Sequence, residues 1–415
     1  MIIKLHKPNL PISGIVKLPG SKSLSNRVLV IQALSGLSFN ISNLSDSDDT
    51  KHLQAAFNTL KNKTSASIDI GHAGTDMRFL TSFLSIKKGN WELTGSERMQ
   101  QRPIGDLINV LHYLGADISY KNNEGYPPLL INGSTIKGGS AVINGNVSSQ
   151  YISSLLLVAP YFTGGLELTL QKNIVSTPYI TMTIELMKEF GADVTWNEQK
   201  ISVKPIPYSY SKSTYEIESD WSAASYFYSL VALSKENTTL TLSSLFSKSL
   251  QADAMCASIY KQFGVESAFE NNRVTLTKQP HKLTNFPYCF MDCPDIAQTL
   301  VCTCIGLQIP FHFTGLQTLK VKETDRIIAL KNEVKKFGIN LEVSSDSITY
   351  KQKTETKQLN NDSIATYSDH RMAMAFAPLC LIYDTLLIED SNVVSKSYPT
   401  FWEDVKSIGI NSNLV

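Results

Sequence analysis

The sequence predicts two α/β domains of similar size, each built from three copies of a unit that holds two helices and several strands. Three observations carry this. The chain has 415 residues, more than one hydrophobic core organises, so two or three domains are expected. A helix that ends in glycine and leads into a strand recurs five times, at Gly115, Gly191, Gly264, Gly338 and Gly409. Subtracting these positions gives steps of 76, 73, 74 and 71 residues. A second kind of helix start, polar and then apolar, recurs at Ser23, Thr75, Ser148, Trp221, Asp295 and His370, with steps of 52, 73, 73, 74 and 75. Four near-equal steps argue for a repeated architecture and against a chance alignment of helix ends.

In chain order, the alternating run Ile15-Val16-Lys17-Leu18 reads as a short strand, Pro19-Gly20 as a break, and Val28 to Leu34 as a helix. The new helix opens on Ser21-Lys22-Ser23-Leu24-Ser25-Asn26-Arg27. Its first backbone N–H groups lack intrahelical partners and carry partial positive charge, so Lys22, Ser23, Ser25 and Arg27 surround a natural place for an anion. The second start, Gly71-His72-Ala73-Gly74-Thr75-Asp76-Met77-Arg78, combines two glycines with an arginine on the first turn. The third, Ser148-Ser149-Gln150, serves equally as an N-cap or as a ligand contact. The fifth, Cys293-Pro294-Asp295, reads as a helix start with Asp295 as the capping carboxylate. At the sixth, Asp369, His370 and Arg371 directly precede the apolar run Ala373 to Leu381. Two further polar clusters precede helices: Lys320 to Arg326, and Ser395-Lys396-Ser397-Tyr398-Pro399. Between the helices lie β-rich pieces such as Ala141-Val142-Ile143 and Leu166-Glu167-Leu168-Thr169-Leu170. The polar stretch Pro205 to Ser213 reads as a loop or a crossover between halves.

Hydrophobic residues make up 42% of the chain and charged residues 18%, the composition of a globular protein. The formal net charge of +1 supplies no global field for nucleic acid or an anionic membrane, so anion binding has to come from local clustering. The first residues contain no signal-peptide core, and the longest apolar run, near Leu155 to Pro160, is far short of a membrane span; the cytoplasm is the expected compartment. Six cysteines include Cys289, Cys293, Cys302 and Cys304, but these with His281 and His312 do not complete a zinc spacing. They read as buried, reduced thiols.

Taken together, Gly20-Ser21-Lys22-Ser23 with Asn26-Arg27, Gly74-Thr75-x-Met77-Arg78, Gln101-Arg102-Pro103-Ile104, Gly145-Asn146-x-Ser148-Ser149-Gln150, Val321-Lys322-Glu323-Thr324-Asp325-Arg326 and Asp369-His370-Arg371-Met372-Ala373 form one ordered set. That set, spanning about Pro19 to Pro399, closely resembles the 5-enolpyruvylshikimate-3-phosphate synthase family. The resemblance implies two globular α/β domains, each of three βαβαββ units around a pseudo-threefold axis, with the active site in the interdomain cleft. It implies a first domain of residues 20–217 on the shikimate 3-phosphate side, a discontinuous second domain of 1–19 plus 218–415, and two crossovers. The implied reaction moves the enolpyruvyl group of phosphoenolpyruvate to the 5-hydroxyl of shikimate 3-phosphate and releases phosphate, within chorismate and aromatic amino acid biosynthesis.

By motif position, the resemblance assigns shikimate 3-phosphate to Lys22, Ser23, Arg27, Ser148, Ser149, Gln150, Ser176, Tyr179, Asp295 and Lys322. Phosphoenolpyruvate falls to Lys22, Gly74, Arg102, Gln150, Arg326, Arg371 and Lys396. Asp295 and Glu323 take the proton-transfer roles, assisted by Lys22, His370 and Lys396. The expected partners are these two small molecules, with no nucleic acid, membrane, metal or cofactor, acting on a monomer. The charge balance agrees: two phosphate monoesters and two carboxylates bring about −5 to −6 at neutral pH, and Lys22, Arg27, Arg78, Arg102, Lys322, Arg326, Arg371 and Lys396 are the cations within the motifs. His72, Asp76, Phe79, Thr318 and Lys320 stand where the family more often has Asn, Ala, Pro, Asn and Arg. The related UDP-N-acetylglucosamine enolpyruvyl transferases carry a reactive cysteine on a loop of the phosphoenolpyruvate-side domain, whereas all six cysteines here lie at or after position 256. A catalytically silent anion-binding paralogue is expected to lack Asp295 or Glu323, and this chain has both.

Overall fold

A computed structural model describes residues 1–146, 148–172, 174–351 and 362–415. The chain divides into two compact units, Lys22–Ile217 and the discontinuous pair Met1–Ser21 with Glu218–Val415. Each has its own hydrophobic core. In the continuous unit, Val28, Leu80, Leu107, Leu155, Leu168 and Leu186 are among its fully buried members; in the other, Leu5, Phe227, Leu276, Leu300, Leu330 and Leu386.

Among the described residues, five four-stranded sheets repeat one strand order. In the continuous unit, Ser65–Asp69 pairs in parallel with Gly89–Thr94, which pairs antiparallel with Leu129–Gly133, which pairs antiparallel with Asp117–Tyr120. The sheet of Gly139–Asn144, Leu166–Gln171, Lys200–Val203 and Val194–Asn197 follows the same order, one parallel pairing and then two antiparallel ones. The discontinuous unit repeats it with Phe286–Cys289, Phe311–Thr314, Ile348–Tyr350 and Glu342–Val343. It repeats it again with Ile15–Lys17, Thr239–Ser243, Arg273–Lys278 and Val265–Glu270. In the fifth sheet, Ser363–Ile364 and Thr385–Ile388 are completed by Ile3–His6 from the chain start and by Ser412–Leu414. In four of these sheets a helix crosses between the parallel pair, the connection that parallel strands require; between Ile15–Lys17 and Thr239–Ser243 the continuous unit intervenes before the helix Trp221–Ala232. The sixth sheet is a two-stranded parallel ladder, Asn40–Ser42 with Thr214–Glu216, and it belongs to the repeat whose sequence step is short.

The helix boundaries follow from local chemistry. All five glycines that end helices have positive φ, from 77° at Gly264 to 104° at Gly115, the left-handed turn that a Cβ disfavours. Helices begin at Lys22, Gly74, Ser149, Trp221 and His370, each within a residue of the start read from sequence. One segment differs from that reading, and one reading with two alternatives narrows to the first of them, a loop. The run to Leu381 is a helix only through Phe376 and then tightens into a 3₁₀ turn, Ala377–Leu381, which has Pro378 in its first turn. The stretch 205–213 is an irregular loop inside the continuous unit, and it delivers the strand Thr214–Glu216 back to Asn40–Ser42.

Candidate functional site

In the discontinuous unit, four chain segments deliver charged side chains to one place. Asp325 caps the helix Arg326–Lys335 by accepting from the Ile327 and Ile328 amides, which sets Arg326 on its first turn and Glu323 just before it. Asp369 caps the helix His370–Phe376 by accepting from the Arg371 amide. Asp295 does not cap a helix as expected from sequence. It lies within a 3₁₀ turn, Pro294–Ile296, and the helix that follows has Ile296 at its cap position with no side-chain bond. Pro294 opens that turn, and the Asp295 carboxylate is turned toward cations instead.

Those cations are Arg371, with Nη2 at 3.0 Å from Oδ2, and Arg326 and Lys322, at 3.2 and 3.3 Å from Oδ1. Burial alone would raise the Asp295 pKa, but Arg371, Lys322 and Arg326 hold it well below the ordinary carboxylate range. Arg326 also donates Nε to Asp369 at 2.7 Å and Nη2 to Glu323 at 2.9 Å. Its side chain is 2% exposed, and Asp369, Glu323 and Asp295 outweigh burial to raise its pKa. Lys396 Nζ lies 2.7 Å from the other Glu323 oxygen. His370 is buried, with Nδ1 3.7 Å from Asp369. Buried charges are costly unless paired in good geometry, and here every carboxylate meets at least one cation or hydrogen-bond donor. The structure therefore brings Asp295, Lys322, Glu323, Arg326, Arg371 and Lys396 into one ion-pair network, with His370 at its edge. Such a network presents ionised carboxylates amid fixed positive charge, an arrangement that can accept protons beside a bound anion.

In the continuous unit, Lys22 opens its helix and bonds Asp49 at 2.9 Å. Arg27, 3% exposed, donates to Thr183 Oγ1, Ser153 Oγ and the Ser23 carbonyl, and its guanidinium lies 5.3 Å from the Phe79 ring centroid. Burial lowers its pKa to about 10, still far above neutrality. Gly74 begins the helix Gly74–Ile86, and a Cβ there would meet the Arg102 guanidinium, 2.9 Å from Cζ. The Arg102 guanidinium is thus packed against the N-terminal turn of that helix. Gln150 donates to Thr75 at 3.2 Å, while Ser148 caps the helix Ser149–Val158 by accepting from the Gln150 amide. Ser176, largely buried, precedes the helix Thr177–Glu189 in the left-handed conformation at φ 55°. Tyr179 lies half-buried on that helix, and its carbonyl accepts from Thr183, the hydroxyl that Arg27 contacts.

One cation counted from sequence has another use. Arg78 donates to the Gly74 and Pro103 carbonyls and stands over Tyr151, so it ties the Gly74 turn to the Arg102–Pro103 corner. Sequence reading also passed over Asp49, Ser222 and Tyr226 and gave Asp369 no role of its own; these residues hold Lys22, Arg326 and Arg371 in place. The signal for Asp369 was its place before His370; Asp49 had only the acidic cluster Asp46-Ser47-Asp48-Asp49. All six cysteines are free, and Cys289 alone among them is exposed. Among the described residues no group of three or more His, Cys, Asp or Glu could hold a metal ion, and no helix is long and apolar enough to cross a membrane.

Comparison with known proteins gives one answer at three levels. Residues 6–405 match the family described as EPSP synthase (3-phosphoshikimate 1-carboxyvinyltransferase). A Bacteroides fragilis protein named 3-phosphoshikimate 1-carboxyvinyltransferase is 48% identical over 399 residues, covering 96% of each chain. A Sulfurovum sp. protein of the same name is 35% identical over 425 aligned positions, covering 97% of this chain and 98% of its own. The solved structure of an EPSP synthase from Acinetobacter baumannii matches the whole of both chains with a TM-score of 0.80 at 22% identity, a likeness of fold. With a match that runs almost from end to end, this chain belongs to the EPSP synthase family.

Proposed function

We propose that this protein transfers the enolpyruvyl group of phosphoenolpyruvate to the 5-hydroxyl of shikimate 3-phosphate and releases inorganic phosphate. The observation that carries this reading is the Asp295–Glu323 pair, two carboxylates set among Lys322, Arg326, Arg371 and Lys396. Addition of an alcohol to an enol phosphate needs a base for the hydroxyl proton, an acid for the methylene carbon, and cations for two anionic substrates. Loss of phosphate and return of the carbon-bound proton then restore the double bond.

In this reading Asp295 and Glu323 move the protons, with Lys22, His370 and Lys396 assisting. Shikimate 3-phosphate is taken by Lys22, Ser23, Arg27, Ser148, Ser149, Gln150, Ser176, Tyr179, Asp295 and Lys322. Phosphoenolpyruvate is taken by Lys22, Gly74, Arg102, Gln150, Arg326, Arg371 and Lys396. The domain of 20–217 is the shikimate 3-phosphate side, and the domain of 1–19 with 218–415 supplies the proton-transfer carboxylates. The protein acts as a cytoplasmic monomer without a cofactor. Phosphate release with both substrates, and with each omitted in turn, tests the reading. Release that depends on both is expected; release from phosphoenolpyruvate alone, or none with both, overturns it.

A further inference from the structure

Arg371 is gripped from two sides. Its Nη2 donates to Asp295 at 3.0 Å and to Ser222 Oγ at 3.3 Å, and its Nη1 donates to Tyr226 OH at 3.4 Å. Ser222 in turn gives its hydrogen to Oδ2 of Asp253. Asp253 is 4% exposed and lies on a 3₁₀ turn, Ala252–Met255. That turn is anchored: Gln251 accepts from the Trp221 amide and donates to the Ser219 carbonyl and to Glu218, which also takes Ser249 and Trp221 Nε1. The turn that carries the carboxylate is therefore tied to the first turn of the helix Trp221–Ala232 through the Gln251 and Glu218 side chains.

We propose that Asp253 is a positioning residue for phosphoenolpyruvate binding, acting through Ser222 to fix the guanidinium of Arg371. The inference rests on the function proposed above. An ionised carboxylate only accepts hydrogen bonds, so Ser222 must point its hydrogen toward Asp253 and its lone pairs toward Arg371. A neutral group in that place offers a donor, which allows the hydroxyl to turn and point its hydrogen at a cation. The Arg371 fork, otherwise held by Asp295 and Tyr226, then loses one of its fixed acceptors.

Burial, and next Asp295, raise the Asp253 pKa to about 6, against the smaller opposing pull of Arg371 and Ser222. The groups that face it are Asp220 and Ser222 at the start of the Trp221 helix, Cys256 following its own turn, Cys293 and Asp295, and Arg371. A raised folded pKa contributes stability below the ordinary aspartate range that is lost as pH rises through about 6. At pH 7.5 the ionised form therefore contributes less to stability than the protonated form does at low pH.

The test compares wild type with Asp253→Asn and Ser222→Ala in steady-state phosphate release and thermal melting at pH 7.5. Each variant is expected to raise KM for phosphoenolpyruvate about tenfold, the loss of one charge-assisted hydrogen bond. KM for shikimate 3-phosphate should be unchanged, and the Asp253→Asn melting temperature equal or higher. The double variant should be no worse than either single one, since both break one chain of contacts. The ratio of wild-type to Asp253→Asn kcat/KM should grow from pH 5 to pH 7 as Asp253 ionises. Wild-type KM for phosphoenolpyruvate in both variants, or a lower melting temperature with KM unchanged, overturns the proposal. If wild type releases no phosphate, the proposed reaction fails separately, and calorimetric binding of phosphoenolpyruvate to wild type and Asp253→Asn still decides whether Asp253 sets an anion site.

Discussion

At the scale of single residues, Gly74 and Glu323 make opposite demands on an experiment. A methyl group at Gly74 would press on the Arg102 guanidinium, which has to move off the helix N-terminus. Gly74→Ala is therefore expected to raise KM for phosphoenolpyruvate several-fold to tenfold while the shikimate 3-phosphate KM holds. An unchanged phosphoenolpyruvate KM would show that Arg102 yields without loss. Glu323 bonds both Arg326 and Lys396, so it could serve either as a proton carrier or as a strut. Glu323→Gln keeps size and most hydrogen bonding but cannot carry a proton. As a carrier it should lose about two to four orders of magnitude in kcat, with shikimate 3-phosphate affinity intact; near-normal kcat with poor binding would assign the strut. Asp295 supplies the pH test. Its lowered folded pKa adds stability above the ordinary aspartate range, and that stability is lost as pH falls through the folded value. Asp295→Asn should therefore melt well below wild type at pH 7, with the gap narrowing toward pH 3. A gap that stays constant over that range would deny the linkage.

At the scale of elements, the helices Lys22–Ser35 and Gly74–Ile86 are cross-linked by two successive pairs. Asn26 donates to Asp76 at 2.7 Å and accepts from Thr50 at 2.7 Å, and one residue on, Arg27 stands over Phe79. Asp76 is fully buried, so Asp76→Ala leaves the Asn26 amide without this acceptor and should lower stability by about 1–3 kcal/mol. Asp76→Asn, which keeps an acceptor, should recover most of it; equal urea midpoints for wild type and Asp76→Ala would dismiss the cross-link. These pairs also mark where sequence reading stopped. Helix starts and glycine ends were legible because caps and left-handed turns are written within a few residues, as at Ser148 and Gly264. The repeat was legible because those local signals recur at one period. The pairing of Ile15–Lys17 with Thr239–Ser243, and of Ile3–His6 with Thr385–Ile388, joins segments hundreds of residues apart, and no local pattern names such a partner. The same limit hid the site's interior. Asp295, Glu323 and Arg371 stood out by motif, but that Arg326 joins Asp295, Glu323 and Asp369 is a fact of packing. The misread role of Asp295 shows the bias: a carboxylate after proline at a helix start looks like a cap until cations from positions 322, 326 and 371 are seen around it.

At the scale of the whole molecule, the two units differ in how the chain builds them, and this predicts how each behaves alone. Residues 22–217 are continuous, carry their own core, and close their ends by pairing Asn40–Ser42 with Thr214–Glu216. A fragment of 22–217 should therefore fold by itself. Residues 218–415 lack two strands that the N-terminal segment supplies. Ile3–His6 is an interior strand, flanked on both sides by Thr385–Ile388 and Ser412–Leu414, and Ile15–Lys17 covers the edge of Thr239–Ser243. The same segment buries Ile3, Leu5, Ile12, Val16 and Leu18 in that unit's core. Truncating a single buried aliphatic side chain costs about 2–5 kcal/mol, and a domain's whole net stability is about 5–15 kcal/mol. Loss of five such side chains, with two strand edges left bare, exceeds that margin. A fragment of 218–415 should therefore lack a cooperative melt and dispersed amide resonances, whereas 22–217 shows both. A synthetic peptide of residues 1–21 added to 218–415 should restore the melt, because it returns the missing strands and the missing core together. Cooperative melting of 218–415 without the peptide would show that the other three strands of each sheet suffice, and that the chain start only decorates a unit already complete.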